Sequence, residues 1–376
     1  MLLKNAYVLN DDFEFKKEDL RIENGVFAEI GNIKGDGIDA DGDYIIPGLI
    51  DIHMHGSVFC NCEDDNETSL KKIAEYQASI GTTAFLASYS STDHDTLIRA
   101  VKRAVQAHEK NFGGAHIAGI HMEGPYISKK YCGAMNLDNI RNPDDKEINE
   151  VLDIAGDLLK IVSLAPENEG AMEFIDKYKD RFAISMAHTD ADFEIGKRAI
   201  EHGASNVTHT FNAMRPLHHR SPNMLGAAFN SNVFMELICD GYHVHPEMVK
   251  IAYKLCGADR LVLITDSLAA AGAKDGVYHE SGLEIFVKNG KAALANGTIA
   301  GGTIPLLKCV RNLVSFGVPV NKAVKCASIN PARAARIDDK YGSITVGKSA
   351  DCLIVDKELN LKSVIVGGKE IKNIRK

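Results

Sequence analysis

The chain has no run of about 18 consecutive apolar residues, which excludes a membrane-spanning helix. Met1 to Asn10 carries one lysine and a very short apolar stretch, without the apolar core and cleavage site of a secretion signal, so the expected location is cytoplasmic. Positive charge is in deficit. Lys and Arg total 43 against 51 Asp and Glu, and the net charge of −8 argues against a general nucleic-acid binder. A local cluster of Arg and His can still hold a small anion in such a protein. The eight cysteines lack the paired Cys-x-x-Cys spacing of a structural zinc site, Cys60-Asn61-Cys62 included. They are expected to be reduced and mostly buried. Gly-x-Gly-x-x-Gly, a Walker A sequence, Gly-x-Ser-x-Gly and His-Glu-x-x-His are all missing, which removes support for the common nucleotide-binding, serine-hydrolase and zincin readings.

What is present is ordinary in bulk and specific in pattern. A chain of 376 residues accommodates one large domain and a small one. Both ends read as short strands: Asn5 to Leu9, Leu20 to Glu23, Val26 to Ile30, Ser343 to Val346, Asp351 to Val355 and Leu361 to Val366. Asn24-Gly25 is a hairpin signal and Gly367-Gly368 a second turn. Neither end has enough strands for a stable sheet of its own, so residues 1–47 and 341–376 are expected to form one discontinuous β-sandwich domain.

Between them, over residues 48–340, eight strand candidates alternate with helical stretches. The strands are Ile46 to His53, Thr82 to Ala87, His116 to Met122, Lys160 to Ala165, Phe182 to His188, Ser205 to His209, Val233 to Asp240 and Arg260 to Thr265. Helices are expected at Ser69 to Ile80, Asp95 to Glu109 and Ala191 to His202, the last stopped by Gly203. Eightfold strand–helix alternation is the signature of a (β/α)8 barrel, whose active sites lie at the C-terminal ends of the strands.

Residues suited to metal chemistry stand at those ends. In Ile52-His53-Met54-His55 a period of two puts both imidazoles on one face, and the pair suits zinc or iron. Glu123 leaves the third strand in His121-Met122-Glu123-Gly124-Pro125, and it can bind one metal or bridge two. His121 is read as a buried, hydrogen-bonded histidine. His188 and His209 close the fifth and sixth strands and, with Glu123, complete a three-ligand site that leaves a position for water, as catalytic sites do. Asp266 follows Leu261-Val262-Leu263-Ile264-Thr265, where an acid beside a metal can take a proton from water and return it to a leaving amine. Phe211-Asn212-Ala213-Met214-Arg215, His218-His219-Arg220 and Asp240-Gly241-Tyr242-His243 offer substrate contacts, Arg being suited to bidentate phosphate binding.

Taken together, Pro47-Gly48-Leu49-Ile50-Asp51-Ile52-His53-Met54-His55-Gly56, His121 to Pro125, Ala187-His188-Thr189, Thr208-His209 with Asn212-Ala213-Met214, Asp240 to His243 and Asn330-Pro331-Ala332 resemble the amidohydrolase superfamily, and within it the deacetylases of amino-sugar phosphates. The likeness runs nearly end to end. It implies a barrel with a β-sandwich, usually as a homodimer, and one or two divalent ions, with zinc favoured over iron. It implies hydrolysis of the N-acetyl group of N-acetylglucosamine 6-phosphate, with the galacto epimer as the alternative substrate. By position, Glu123, His188 and His209 would hold the principal metal and His53 and His55 a second. Asp266 would be the general acid/base. Asn212, the Ala213 backbone, Arg220 and His243 would contact the sugar phosphate, with the Arg offered to a neighbouring subunit. Some members carry a His near the acetyl group where this chain has Met135, which cannot donate a hydrogen bond. Cyclic-amide and dipeptide hydrolases on the same barrel often use a Lys at the end of strand four. Here that strand runs into Ser163-Leu164-Ala165-Pro166-Glu167, without one.

Overall fold

Strands from the two ends of the chain meet in one sheet. The computed structural model describes residues 1–66, 68–280 and 283–373. Leu2–Leu9 pairs antiparallel with Phe15–Glu23, which turns through Asn24-Gly25 into Val26–Gly31. Both turn residues have positive φ, 53° and 80°, which a two-residue hairpin turn requires and Asn and Gly tolerate. Tyr44–Pro47 lies parallel to Leu2–Leu9 and takes Cys352–Val355 on its other side. Leu361–Val366 and Lys369–Asn373 complete that side of the sheet.

Two expectations are corrected here. Ser343 to Val346 is not a strand: Gly342 and Gly347, at φ 91° and 92°, turn the backbone on either side, and the Ser343 hydroxyl is taken by Thr345 and Lys348. The single strand expected from Ile46 to His53 is two. Tyr44–Pro47 belongs to the sheet just described and Leu49–Met54 to the barrel. The break falls at Gly48, where a Cβ would stand 2.0 Å from Thr83 Oγ1, so the crossing between sheets needs a residue without a side chain.

Eight parallel strands form the barrel: Leu49–Met54, Thr82–Tyr89, His116–Met122, Leu159–Leu164, Ala183–Met186, Asn206–Val207, Phe234–Ile238 and Leu261–Ile264, barrel strands 1 to 8, each bonded to the next. Helices Ser69–Ser79, His94–Lys110 and Phe193–His202 lie where the periodicity predicts them. His94–Lys110 buries Leu97, Ala100, Val101 and Ala104, and the Asp93 carboxylate caps it by accepting from the Thr96 N–H.

The ring closes between strands 1 and 8 in two different ways. At the C-terminal end the Asp266 N–H donates to the His53 carbonyl at 2.9 Å, and the His55 and Gly56 amides donate to the Ser267 carbonyl. Lower down a separate segment fills the seam. The Leu263 N–H donates to Cys326 O at 2.7 Å and the Ile50 N–H to Ala327 O at 2.9 Å. Asn330 then caps the Leu261 and Ala258 carbonyls with its side-chain amide, at 2.7 and 2.8 Å, which gives Asn330-Pro331-Ala332 a structural role.

Inside the barrel a buried polar chain runs beneath the mouth. His121 Nε2 meets Ser163 Oγ at 2.8 Å, Ser163 meets Thr208 at 3.0 Å, and Thr208 meets Ser185 at 2.6 Å. One element escapes the periodicity altogether. After strand 8 the chain forms an antiparallel meander of Gly276–Glu280, Leu283–Lys288, Lys291–Leu294 and Ile299–Gly301. It returns to the barrel through Gly302, whose N–H donates to Asp266 O at 2.7 Å.

Candidate metal centre

The strands end, and the chain turns sharply, where the ligand candidates sit. His188, His209 and Asp266 follow strands 5, 6 and 8 in the left-handed region, with φ of 41°, 28° and 49°. Such backbone is costly for residues other than Gly and is held only where the surroundings enforce it, as at functional sites. It also explains why strands 5, 6 and 8 stop short of the expected ends.

The side chains converge. Glu123 Oε1 lies 3.1 Å from His188 Nε2, 2.9 Å from His209 Nε2 and 3.3 Å from His53 Nε2. Glu123 Oε2 lies 3.0 Å from His55 Nε2. The His188 and His209 Nε2 atoms are 3.0 Å apart, and those of His53 and His55 3.3 Å. Asp266 Oδ1 stands 3.5 Å from His53 Nε2 and 3.4 Å from His55 Nε2. The six residues thus form two three-ligand groups sharing Glu123, with Asp266 at their edge.

This donor set fits a divalent cation. His188 Nδ1–H donates to the Tyr131 carbonyl at 2.8 Å and His53 Nδ1–H to Glu236 Oε2 at 3.0 Å. Each ring, when neutral, therefore turns an Nε2 lone pair toward the Glu123 carboxylate, which is itself an acceptor. Acceptors facing acceptors at these distances repel unless positive charge stands among them. Imidazole nitrogens with carboxylate oxygens suit zinc or ferrous iron. The titration of the groups says the same. Burial would lower the His53 and His55 pKa values, but Glu123 and Asp266 outweigh it and raise both, His55 to about 10. Burial would raise the Glu123 and Asp266 carboxyls, yet the surrounding imidazoles hold both below the usual range.

His121 is outside this set. Its Nδ1 is bonded to Ile52 O at 3.0 Å and its Nε2 to Ser163, while burial, then the His53 charge, keep its pKa well below the ordinary value. Cys60 and Cys62 are free and buried, and no group of metal-competent side chains among the described residues includes them.

Of the substrate-contact candidates, two lie beside the centre. Asn212 donates to the His209 and Thr210 carbonyls, at 3.2 and 3.4 Å, and Ala213 O accepts from the Thr189 N–H at 3.2 Å. The loop carrying Met135 passes over the same place, since a Cβ on Gly133 would lie 3.2 Å from the His188 ring. His243 is fixed by Asp240, which meets its Nδ1 at 2.6 Å. Arg220 is not brought to the cluster. It stands exposed on a loop with its guanidinium against His219 Nε2 at 2.7 Å.

Two residues were overlooked by sequence reasoning. Glu236, in Phe234-Met235-Glu236-Leu237-Ile238, is fully buried on strand 7. The signal was there, a lone acid in an apolar strand, the same that singled out Asp266. Tyr131 acts through its carbonyl, which no side-chain pattern reveals.

Residues 44–371 match the amidohydrolase family model. The chain belongs to the amidohydrolase family. Within that family it is 35% identical to the N-acetylglucosamine-6-phosphate deacetylase of Bacillus subtilis, over 98% of this chain and 96% of the relative. It is 32% identical to the N-acetylgalactosamine-6-phosphate deacetylase of Escherichia coli O157:H7, over 98% of each. An N-acetylglucosamine-6-phosphate deacetylase from Mycobacterium smegmatis, solved as an Asp-to-Ala variant in complex with N-acetylglucosamine 6-phosphate, superposes with a TM-score of 0.92 at 31% identity, covering 99% of both chains.

Proposed function

We propose that this protein hydrolyses the N-acetyl group of N-acetylglucosamine 6-phosphate, releasing glucosamine 6-phosphate and acetate. The observation that carries this reading is the convergence of Glu123, His188, His209, His53 and His55 on one point, with Asp266 within 3.5 Å of the two strand-1 imidazoles. It is joined by full-length similarity to relatives of that name. Glu123, His188 and His209 would hold the principal ion and His53 and His55 a second, zinc being favoured over iron. A divalent ion bound there polarises the acyl carbonyl and acidifies the attacking water.

The residues of the chain do the rest. Asp266, its carboxyl held ionised by the neighbouring imidazoles, takes one proton of the water as oxygen adds to the acyl carbon. It then delivers that proton to the amine nitrogen as the C–N bond breaks. Met135 has no proton to offer the carbonyl, so polarisation of that oxygen would fall to the bound ion or to another residue. Asn212, the Ala213 backbone and His243 would orient the sugar, and His243 is held for this by Asp240. Arg220, exposed on its loop, would meet the phosphate of a neighbouring subunit's substrate in a homodimer, a reading supported by its place outside its own cluster.

The test is amine release from N-acetylglucosamine 6-phosphate, run beside the unphosphorylated sugar and the galacto epimer. Rapid release from the first alone is expected. Faster release from the galacto epimer would assign the second reading, which the Escherichia coli relative keeps open. Equal rates without phosphate would remove the phosphate contact.

A further inference from the structure

Glu236 is a carboxylate with no access to solvent, placed below the centre, and the reaction as described does not use it. Leaving a buried carboxylate short of partners is expensive. Yet Glu236 Oε1 has no hydrogen-bond partner among the described residues. The other oxygen, Oε2, has two neighbours. It accepts from His53 Nδ1 at 3.0 Å and from the backbone N–H of His209 at 3.3 Å. One oxygen thus touches a ligand candidate of each three-residue group: the ring of His53 on strand 1, and the main chain of His209 beyond strand 6.

Both contacts constrain orientation. Where Glu236 Oε2 accepts from His53, a proton sits on Nδ1, and the neutral ring then turns its Nε2 lone pair toward Glu123 and His55. Without Glu236 the ring is free to take the other tautomer, which would point an N–H into the centre. The second contact ties down the His209 amide, in a residue whose backbone is held at φ 28°.

We propose that Glu236 is a positioning residue that fixes His53 as an Nε2 metal ligand and, through the same oxygen, ties the His209 main chain to it. This rests on the metal-centre reading given above. Outer-sphere partners of this kind typically change metal affinity about 10- to 100-fold when removed.

The experiment uses the full-length, zinc-loaded protein and a competing chelator to measure zinc affinity at each occupied position, in wild type, Glu236→Gln, Glu236→Leu and the same changes in a His53→Ala background. Glu236→Gln keeps an oxygen that can still accept from His53. The expected result is a loss of affinity of about 10- to 100-fold at the His53–His55 position in Glu236→Leu, a smaller one in Glu236→Gln, and little further loss from either change once His53 is gone. Unchanged affinity in both variants overturns the proposal, as does an equal loss in the His53→Ala background. Histidine-selective nitrogen NMR of the wild-type zinc form reads the tautomer with no variant needed, which covers the case of a variant that does not fold. Protonation at His53 Nδ1 is expected, and protonation at Nε2 overturns the proposal. A wild-type chain that retains no divalent metal would instead overturn the metal-centre reading, and this inference with it.

Discussion

The backbone amide of Asp266 donates to the carbonyl of His53, at 2.9 Å across the barrel seam. The proposed acid/base is therefore suspended from the main chain of a proposed ligand, and the 3.5 Å between their side chains is set by one short hydrogen bond rather than by two independent loops.

Asp266→Asn keeps the shape of this turn and removes the proton acceptor. The expected result is a fall in kcat of about 10²- to 10⁴-fold, the usual worth of a positioned general acid/base. Zinc content and affinity for N-acetylglucosamine 6-phosphate should change little. Retained turnover would show that another group moves the proton.

Gly302 guards the same turn from the other side. A Cβ there would stand 1.9 Å from the Thr265 carbonyl, and one on Gly301 2.9 Å from Asp266 O. Gly302→Ala must therefore push the Asp266 turn away. A displacement of about 1 Å in a reacting group costs on the order of 10²-fold in rate. Steady-state kinetics with a parallel thermal melt will separate this from unfolding: kcat should collapse in protein that still melts cooperatively.

Metal binding should depend steeply on pH. In the metal-free chain the His55 pKa is raised from 6.5 to about 10, so a cation arriving at neutral pH must displace a proton. Zinc affinity is expected to rise with pH across that window, with proton release measurable by calorimetry in buffers of different ionisation enthalpy. The sign for stability is opposite. A histidine whose folded pKa is raised contributes stability that is fully present below pH 6.5 and is lost as pH rises through about 10. Chelator-treated protein should accordingly weaken with rising pH, while the zinc form gains relative to it.

Arg220→Ala should raise KM for the phosphorylated sugar about 10- to 100-fold with kcat largely kept, the pattern of lost uniform binding to a charged group. If the Arg serves a neighbouring site, subunits carrying Arg220→Ala mixed with subunits carrying Asp266→Asn should recover the low KM of the wild type. Each mixed dimer would hold one site with both groups intact. No recovery on mixing would place Arg220 in the site of its own chain.

The eight barrel strands and the six residues that converge at their mouth were legible in the sequence because the strands are short apolar runs and strands 1, 3, 5, 6 and 8 each run into a residue type out of place in them. His188, His209 and Asp266 all announce themselves this way. Glu236 carries the same mark in mid-strand, where an acid flanked by Met235 and Leu237 reads as part of the apolar run. The division at Gly48 was not legible, since Ile45-Ile46-Pro47-Gly48-Leu49-Ile50 is apolar throughout and the reason for the break is Thr83, distant in sequence. The meander was missed because its strands are short, weakly alternating and set among barrel elements. What it packs against, Leu268 and Ala270 just beyond Asp266, is visible only once the chain is folded.

The sheet shared by both ends also sets a clock on synthesis. Tyr44–Pro47 takes its antiparallel partner from Cys352–Val355, about 300 residues later, which at roughly 5–20 residues per second leaves this strand edge unmatched for some 15–60 seconds on the ribosome. Leu2–Leu9 and Phe15–Glu23 can pair at once, but the sheet they begin stays open on one side while the whole barrel is made. An unpaired edge invites other strands. Growing chains of this protein should therefore be most prone to aggregation, and most in need of a chaperone, in that interval, and removal of Cys352–Val355 with the two strands after it should prolong it indefinitely.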